Sequence, residues 1–152
     1  MNNAAKVVCG LALAGMATTT PLAQEMRPDR AVKYRQGVMY AMNANLGVLS
    51  RMVKGEIPFN KDSAVRSARF SAELSEMPWD GFVPVSHEGG KTKAKADIWK
   101  DKAQFDKLAQ AMQAEMPKLV AAAQTGDVAQ LKSALGPVAK SCDNCHDKFT
   151  NE

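Results

Sequence analysis

Cysteine and histidine are scarce in this chain, and their scarcity limits the sites that it can build. The 152 residues include three cysteines and two histidines. Cys142 and Cys145 stand beside His146 near the carboxyl end, which leaves Cys9 and His87 elsewhere. A zinc site built on the C-x-x-C pair would need two more ligands, and the rest of the chain offers only Cys9 and His87, so a zinc site is not favoured. A thioredoxin-like redox pair would lie near a βαβ pattern, and the sequence shows no convincing strand.

The chain also lacks a stripe of charge of one sign. Its 20 Lys and Arg residues against 16 Asp and Glu residues give a formal net charge of +4. No basic stripe carries aromatic residues, so we predict no nucleic-acid partner. The densest basic cluster, Lys91, Lys93 and Lys95, is interpreted as a solvated loop or helix start. The alternative is a docking surface for an acidic partner.

No apolar run reaches the length of about 20 residues that a membrane helix needs. The apolar and small residues at 7–17 follow a basic residue and precede a polar stretch that ends in Ala23. This order is typical of a secretory signal peptide. We therefore predict that residues 1–23 are removed and that residues 24–152 form one domain in the periplasm, with no membrane anchor after processing. Cleavage after Ala17 is the alternative.

The sequence Cys142-Asp143-Asn144-Cys145-His146 is a C-x-x-C-H motif, the attachment signature of c-type haem. On a helix, two thiols three residues apart point to the same side, so both can form thioethers with the vinyl groups of one haem. The neighbouring imidazole of His146 can reach the iron. The motif predicts one haem c, attached covalently through Cys142 and Cys145.

Apolar residues recur at spacings of three and four over four segments, which predicts an all-α protein. The helices are expected at about residues 30–53, directly after Pro28-Asp29, and at 62–77, 96–124 and 128–149. Lys54-Gly55 should end the first helix, and Asp127 should cap the fourth. Pro117 should kink the third helix, because proline removes a backbone hydrogen bond. Four amphipathic helices of this length predict an antiparallel four-helix bundle.

The apolar faces of these helices place the haem inside the bundle. In the second helix, Phe70, Leu74 and Met77 share one face. In the fourth helix, both haem cysteines continue the apolar seam. That seam consists of Val128, Leu131, Leu135, Val138, Cys142, Cys145 and Phe149.

A long connection, residues 79–90, joins the second and third helices and is rich in Gly and Pro. A loop of that length is commonly functional or disordered. We expect Trp79 and Phe82 to cover one edge of the haem; the alternative is that they close the end of the bundle. His87, in the same connection, is interpreted as a surface residue rather than as an iron ligand.

The chain resembles cytochrome c prime, the class II c-type cytochrome of bacterial periplasms, over all four helices. The resemblance rests on Tyr34-Arg35-Gln36 with Met39, Met77-Pro78-Trp79 with Phe82, Glu88-Gly89-Gly90, Ile98-Trp99 and the haem motif. It implies that His146 is the one strong protein ligand to a five-coordinate, high-spin iron and that Met39 shields the open face. It also implies a homodimer formed through the first two helices. Many family members have Arg four residues after the haem histidine, where this chain has Thr150, so a proximal role for that guanidinium is not expected here.

Arg35 and Met39 each allow two interpretations. Arg35 interrupts the apolar seam of the first helix, and a buried charge needs a partner. Haem propionates are one such partner and a protein carboxylate is the other; the resemblance implies the propionates, with Gln36 as a helper. The Met39 thioether either shields the iron or binds it as a sixth ligand, which would make the protein a low-spin electron carrier.

Three functions follow from these alternatives. The first is reversible binding of the neutral gases NO and CO, with oxygen disfavoured by the lack of a hydrogen-bond donor beside Met39. The second is electron transfer with periplasmic redox proteins, which is compatible with the first. The third, an enzyme such as a peroxidase, is not expected, because the sequence offers no histidine and arginine pair placed for distal acid–base chemistry.

Overall fold

A computed structural model describes residues 26–84, 86–88 and 91–151 of the chain. The predicted signal peptide, residues 1–23, and Gly89-Gly90 of the family motif lie outside the described residues. The helices are α1 Pro28–Val53, α2 Lys61–Ser75, α3 Asp97–Lys100, α4 Lys102–Thr125 and α5 Val128–Phe149, with a 3₁₀ turn at Pro78–Gly81 between α2 and α3.

The four long helices form the bundle that the sequence predicts. Helix α1 contacts α2, α2 contacts α4, α4 contacts α5, and α5 returns to α1. The connection between α4 and α5 consists of Gly126 and Asp127, and such a short link makes neighbouring helices antiparallel. Within the described residues the β-type pairing is a single isolated bridge between Ala94 and Thr150. The all-α prediction is confirmed.

The ends of α1 and α5 follow the expected local chemistry. Pro28 occupies the first turn of α1, where its missing N–H costs nothing. After α1, Gly55 has a φ of 73°, a left-handed conformation that glycine adopts without strain. At the start of α5, the Asp127 carboxylate accepts hydrogen bonds from the backbone N–H groups of Ala129 (2.7 Å) and Gln130 (3.2 Å). Asp127 is therefore the predicted cap.

The third predicted helix is divided in two. Helices α3 and α4 are separated at Asp101, whose φ of −125° and ψ of 53° interrupt the helix. The Asp101 carboxylate accepts a hydrogen bond of 2.7 Å from the Lys148 ammonium, so this break is tied to the end of α5. Helix α4 continues through Pro117 to Thr125. The prediction of one continuous helix was wrong at its first turn.

The buried face of α2 differs from the predicted one. Phe70 is 47% exposed, and Met77 is 42% exposed and lies beyond the end of the helix. The buried residues of α2 are small instead: Ala64, Ser67, Ala68, Ser71 and Ser75. Small side chains let a helix approach its neighbours closely, and the Ser71 and Ser75 hydroxyls are satisfied by backbone carbonyls of their own helix. Leu74, the third residue of the predicted face, is half-buried and packs against the core, so the prediction was wrong for Phe70 and Met77 only.

The core has two parts. The larger runs along the bundle and includes the fully buried Leu49, Leu119 and Leu131. The smaller lies where α3, α4 and α5 meet and is built on Ile98, Phe105 and Phe149. Cys142 packs against the larger part and Cys145 against the smaller, so the haem motif lies between them. No helix in the described ranges is both long enough and apolar enough to cross a membrane.

Candidate functional site

Three adjoining cavities meet at His146. Their volumes are about 280, 130 and 370 Å³, and His146 lines all three. Cys145 lines the first and second, and Cys142 lines the second and third. The three chemically distinctive residues of the motif therefore meet in the wall of the second cavity. The helical spacing predicted this common orientation.

Both thiols are half-buried on the inner side of α5. Burial raises the pKa of the Cys142 thiol, and the nearby Asp143 carboxylate raises it further. Burial also raises the pKa of Cys145 to about 11, with a smaller contribution from Cys142. Both sulfurs are therefore held as neutral thiols at neutral pH, in apolar surroundings that suit a neutral thioether.

His146 lies in the last turn of α5 with an exposed side chain. Its backbone carbonyl accepts two hydrogen bonds from Thr150, one from the backbone N–H at 2.9 Å and one from the hydroxyl at 2.8 Å. Residue 150 also pairs with Ala94 through the isolated bridge. Thr150, where the family often has Arg, thus closes the end of the helix that carries the histidine.

Aromatic rings form one wall of the first cavity. Trp79, Phe82, Phe105 and Phe149 all line it, and consecutive ring centroids are 4.7 to 6.1 Å apart. The Trp79 indole N–H donates to the Ser75 carbonyl at 2.7 Å, which fixes its ring. Trp79 and Phe82 therefore line the same cavity as Cys145 and His146, which is the position that a cover for the haem edge would need. Their role as a cover for the haem edge stays a prediction.

Arg35 is buried in the wall of the same cavity, with 3% of its surface exposed. Its guanidinium donates to the Gly81 carbonyl (2.7 Å), to the Ser86 hydroxyl (2.6 Å) and carbonyl (3.1 Å), and to the Thr92 hydroxyl (3.0 Å). It also lies 4.7 Å from the centre of the Phe82 ring. Burial lowers the pKa of Arg35, but a guanidinium remains charged in proteins.

The partners of Arg35 are neutral. None of the ion pairs in residues 26–84, 86–88 and 91–151 includes Arg35. The ion pair with a protein carboxylate that the sequence allowed is therefore not formed there, and contact with haem propionates stays a prediction. Gln36, the predicted helper, is exposed and donates its amide to the Lys91 carbonyl at 2.9 Å.

Met39 is half-buried and lines the first two cavities. In the second cavity its neighbours include Met42 and Met112, both 5% exposed, so most of this wall is apolar. Asn43, one helical turn after Met39, lines the same cavity. Asn43 is exposed, and its side-chain amide can donate a hydrogen bond, so this wall includes a polar group; the expectation that oxygen is disfavoured stays a prediction.

His87 is not among the residues that line these cavities. Its side chain is 26% exposed and lies against Trp99, with ring centroids 4.9 Å apart and the ring planes tilted by 38°. Its Nε2 lies 3.4 Å from a Glu88 carboxylate oxygen, and its buried Nδ1 has no hydrogen-bond partner within the described residues. The interpretation of His87 as a plain surface residue was too simple, because its ring is largely covered.

The donor set fits haem c. Two neighbouring thiols and an imidazole line adjoining cavities, aromatic side chains form a wall of one of them, and a buried guanidinium without a carboxylate partner places a positive charge in the same wall. Sequence reasoning missed Asn43 and the two residues whose hydroxyl groups accept hydrogen bonds from Arg35, namely Ser86 and Thr92. These are 51 and 57 positions from Arg35, and no local pattern signals a contact at that distance.

Comparisons with known proteins agree with this site. The family described as Cytochrome C' matches residues 30–150. Cytochrome c' of Rubrivivax gelatinosus is 36% identical over 126 residues, covering 83% of this chain and 98% of that protein. Cytochrome c' of Alcaligenes xylosoxydans xylosoxydans is 38% identical over 126 residues, covering 83% of this chain and 97% of that protein.

Solved structures give the same relationship. The Rubrivivax gelatinosus cytochrome c' superimposes with a TM-score of 0.79 at 35% identity, covering 83% of this chain and 98% of that one. The Shewanella frigidimarina cytochrome c prime gives a TM-score of 0.78 at 36% identity over the same shares. A nitric oxide complex of a leucine-to-isoleucine variant of the Alcaligenes xylosoxidans protein gives 0.75 at 35% identity, covering 83% of this chain and 98% of that one.

Proposed function

This chain belongs to the cytochrome c′ family, and from that membership we propose that it is a periplasmic protein with a five-coordinate, high-spin iron that transfers electrons and binds NO and CO reversibly. The broader function follows from the family: the protein is a c-type haem protein that carries electrons, with its haem c attached covalently. Cys142 and Cys145 would hold the haem, and His146 would bind the iron.

The wall around Met39 is the observation that carries the gas-binding part. Haem c supplies a one-electron iron couple and, when five-coordinate, an open position for a diatomic ligand. The chain supplies an apolar cavity of about 130 Å³ in which Met39, Met42 and Met112 stand near both cysteines. An apolar wall favours small neutral molecules over water and anions, because polar and charged species lose hydration there. The nitric oxide complex of the related protein supports this choice of ligand.

Electron transfer requires that the haem site lie near the surface. His146 is exposed, and the cavity of about 370 Å³ that it lines is a groove between α1 and α5. Lys93 is exposed at the rim of the first cavity, beside the exposed Lys91. We propose periplasmic redox proteins with an acidic surface as partners, attracted by these cations and sensitive to salt. We propose no catalysed reaction. Among the described residues that line the three cavities, the one histidine is His146, and the haem motif already uses its imidazole.

We also propose a homodimer through α1 and α2. Tyr40 on α1 is 78% exposed, and Phe70 on α2 is 47% exposed. Large apolar side chains on neighbouring helices mark a surface suited to association. Because α2 packs mainly small residues inward, Phe70 remains available for such a contact.

The alternative function is a dedicated electron carrier with a low-spin, six-coordinate iron. It is favoured by the position of Met39, whose side chain lines the same two cavities as Cys145 and His146. A thioether ligand raises the reduction potential and removes the open position.

The spectrum of the reduced holo-protein tests both functions. The proposal expects high-spin iron in both oxidation states, and Met39→Ala should then speed CO binding without changing the resting spin state. A low-spin reduced spectrum with an axial sulfur signature, converted to high-spin by Met39→Ala, would establish the alternative. Met52→Ala is the matched control, since Met52 is a buried methionine of the same helix and lines none of the three cavities.

A further inference from the structure

Arg35 connects α1 to three separate points of the segment between α2 and α3. Gly81 lies at the end of the 3₁₀ turn, Ser86 follows five residues later, and Thr92 lies beyond residues 89 and 90. The four hydrogen bonds to these points involve both terminal nitrogens of the guanidinium. The terminal N–H donors of Arg35 are thus all occupied by neutral acceptors on this segment.

These contacts extend to the haem motif. The Thr92 hydroxyl that accepts from Arg35 also accepts the Ala94 N–H at 3.1 Å. Ala94 forms the isolated bridge with Thr150, whose N–H and hydroxyl both donate to the His146 carbonyl. A continuous chain of hydrogen bonds and backbone pairing therefore leads from Arg35 on α1 to the carbonyl of the haem histidine.

The same contacts place an aromatic ring. Phe82 directly follows Gly81, lies under the Arg35 guanidinium and lines the first cavity. On its other side, the Phe82 carbonyl accepts the Trp99 indole N–H at 3.3 Å. A shift of the segment away from α1 would therefore move Phe82 out of the cavity wall.

We infer that Arg35 is a positioning residue whose planar fork fixes Gly81, Ser86 and Thr92 against α1, and that it thereby holds Phe82 in the wall of the haem cavity. This role is separate from neutralising haem propionates, because it uses the shape of the guanidinium as well as its charge. A lysine at this position would keep the charge, but its single ammonium cannot reach acceptors arranged around a planar fork. The inference deepens the proposed function and rests on it for the identity of the site.

Arg35→Lys and Arg35→Gln in the holo-protein separate shape from charge. The measurement is backbone hydrogen exchange at Phe82 and Ser86, whose N–H groups bond to the Trp79 and Val83 carbonyls. Loss of at least one bond to a charged donor should accelerate exchange on the order of tenfold in both variants. Circular dichroism of the haem absorption band, which responds to nearby aromatic rings, should change in both. Arg30→Lys, an exposed arginine on the same helix, is the control and should change neither measurement.

Two outcomes would overturn the inference. If hydrogen exchange in Arg35→Lys matches the unsubstituted protein while exchange in Arg35→Gln is faster, the charge alone holds the segment and the shape of the guanidinium does not matter. Unchanged exchange in both variants would show that the segment does not depend on Arg35. If either variant fails to fold, Thr92→Val removes one acceptor and keeps the arginine; unchanged exchange at Ser86 would then refute the inference. The spin state of the unsubstituted protein reports on the proposed function independently, so the two can fail separately.

Discussion

Gly81→Ala offers a direct test of how closely the cavity wall is held against α1. A Cβ atom at this position would lie 2.8 Å from the Arg35 Cβ and 2.9 Å from the Ala31 carbonyl oxygen. A third atom, Cδ1 of Tyr34, would lie at 3.2 Å. The first two atoms belong to, or are bonded to, the backbone of α1, so a change of rotamer cannot relieve the overlap. The 3₁₀ turn must therefore move away from the helix.

The destabilisation expected for Gly81→Ala can be compared with the same substitution at a glycine where an added Cβ would meet no neighbouring atom. Overpacking of this kind costs about 1–3 kcal/mol. Gly37, on the exposed side of α1, has nothing within 4 Å of an added Cβ. Alanine is favoured over glycine inside a helix by about 1 kcal/mol, so Gly37→Ala should stabilise the protein. The two substitutions should have opposite signs and differ by about 2–4 kcal/mol in the free energy of unfolding.

Guanidinium chloride unfolding of the holo-protein, followed by helical circular dichroism, measures this difference. Both variants should be compared at one protein concentration, because self-association contributes to apparent stability. The m-value should stay constant, since adding one methyl group changes very little of the surface that is exposed on unfolding. Equal midpoints for Gly81→Ala and Gly37→Ala would refute the close approach of the 3₁₀ turn to α1.

Three further predictions concern other surfaces of the site and the bundle. Asn43→Leu should raise the stretching frequency of CO in the ferrous protein, because it removes a polar donor from the second cavity. Asn45→Leu is the control, since Asn45 is also on α1 but its amide donates to the Ala41 carbonyl. An equal shift in Asn45→Leu would contradict a role for Asn43 beside the bound gas. The hydrogen bond from the Lys148 ammonium lowers the pKa of the Asp101 carboxyl in the folded protein. The stabilisation that this ion pair gives is therefore present above the pKa of the unfolded chain and is lost as the pH falls through the pKa of the folded protein. Asp101→Asn removes this contribution, so the melting temperature of the variant should fall less steeply between about pH 5 and pH 2. Phe70→Glu should shift a dimer towards monomer in sedimentation equilibrium while leaving the haem spectrum unchanged; an unaltered molecular mass would argue against the α1–α2 interface.

The parts of the fold that depend on local chemistry could be predicted from the sequence. The Asp127 cap and the seam of α5 are both present in the structure as expected. The exposure of Phe70 on α2 could not be predicted in this way. The spacing of apolar residues shows which of them share a face, but it does not show whether that face meets a neighbouring helix or solvent. What decides is how closely α2 approaches α1 and α4, which its buried serines and alanines allow. That distance depends on all three helices together.

In the candidate site too, the features that depend on local sequence could be predicted and those that depend on distant residues could not. Cys142, Cys145 and His146 are neighbours in sequence, so their common orientation follows from helix geometry alone. Arg35 is an anomaly in the sequence because its charge interrupts an apolar seam, and the partners expected from that reasoning were anions, whereas its partners in the structure are neutral. The partner itself was not predictable, because Ser86 and Thr92 lie in a connection without periodicity and are ordinary residues there.

The neutral environment of Arg35 has a consequence for the two parts of the proposed function. A buried positive charge beside a redox centre favours the reduced form, because reduction adds negative charge. The hydroxyl and carbonyl groups around Arg35 orient their oxygens towards it but carry no net charge to cancel it. A gas that prefers reduced iron also shifts the redox equilibrium towards reduction. Arg35 and a bound gas therefore act in the same direction, so Arg35→Gln should lower the midpoint potential with and without CO. Arg35→Lys should lower it less, even where it loosens the wall as much.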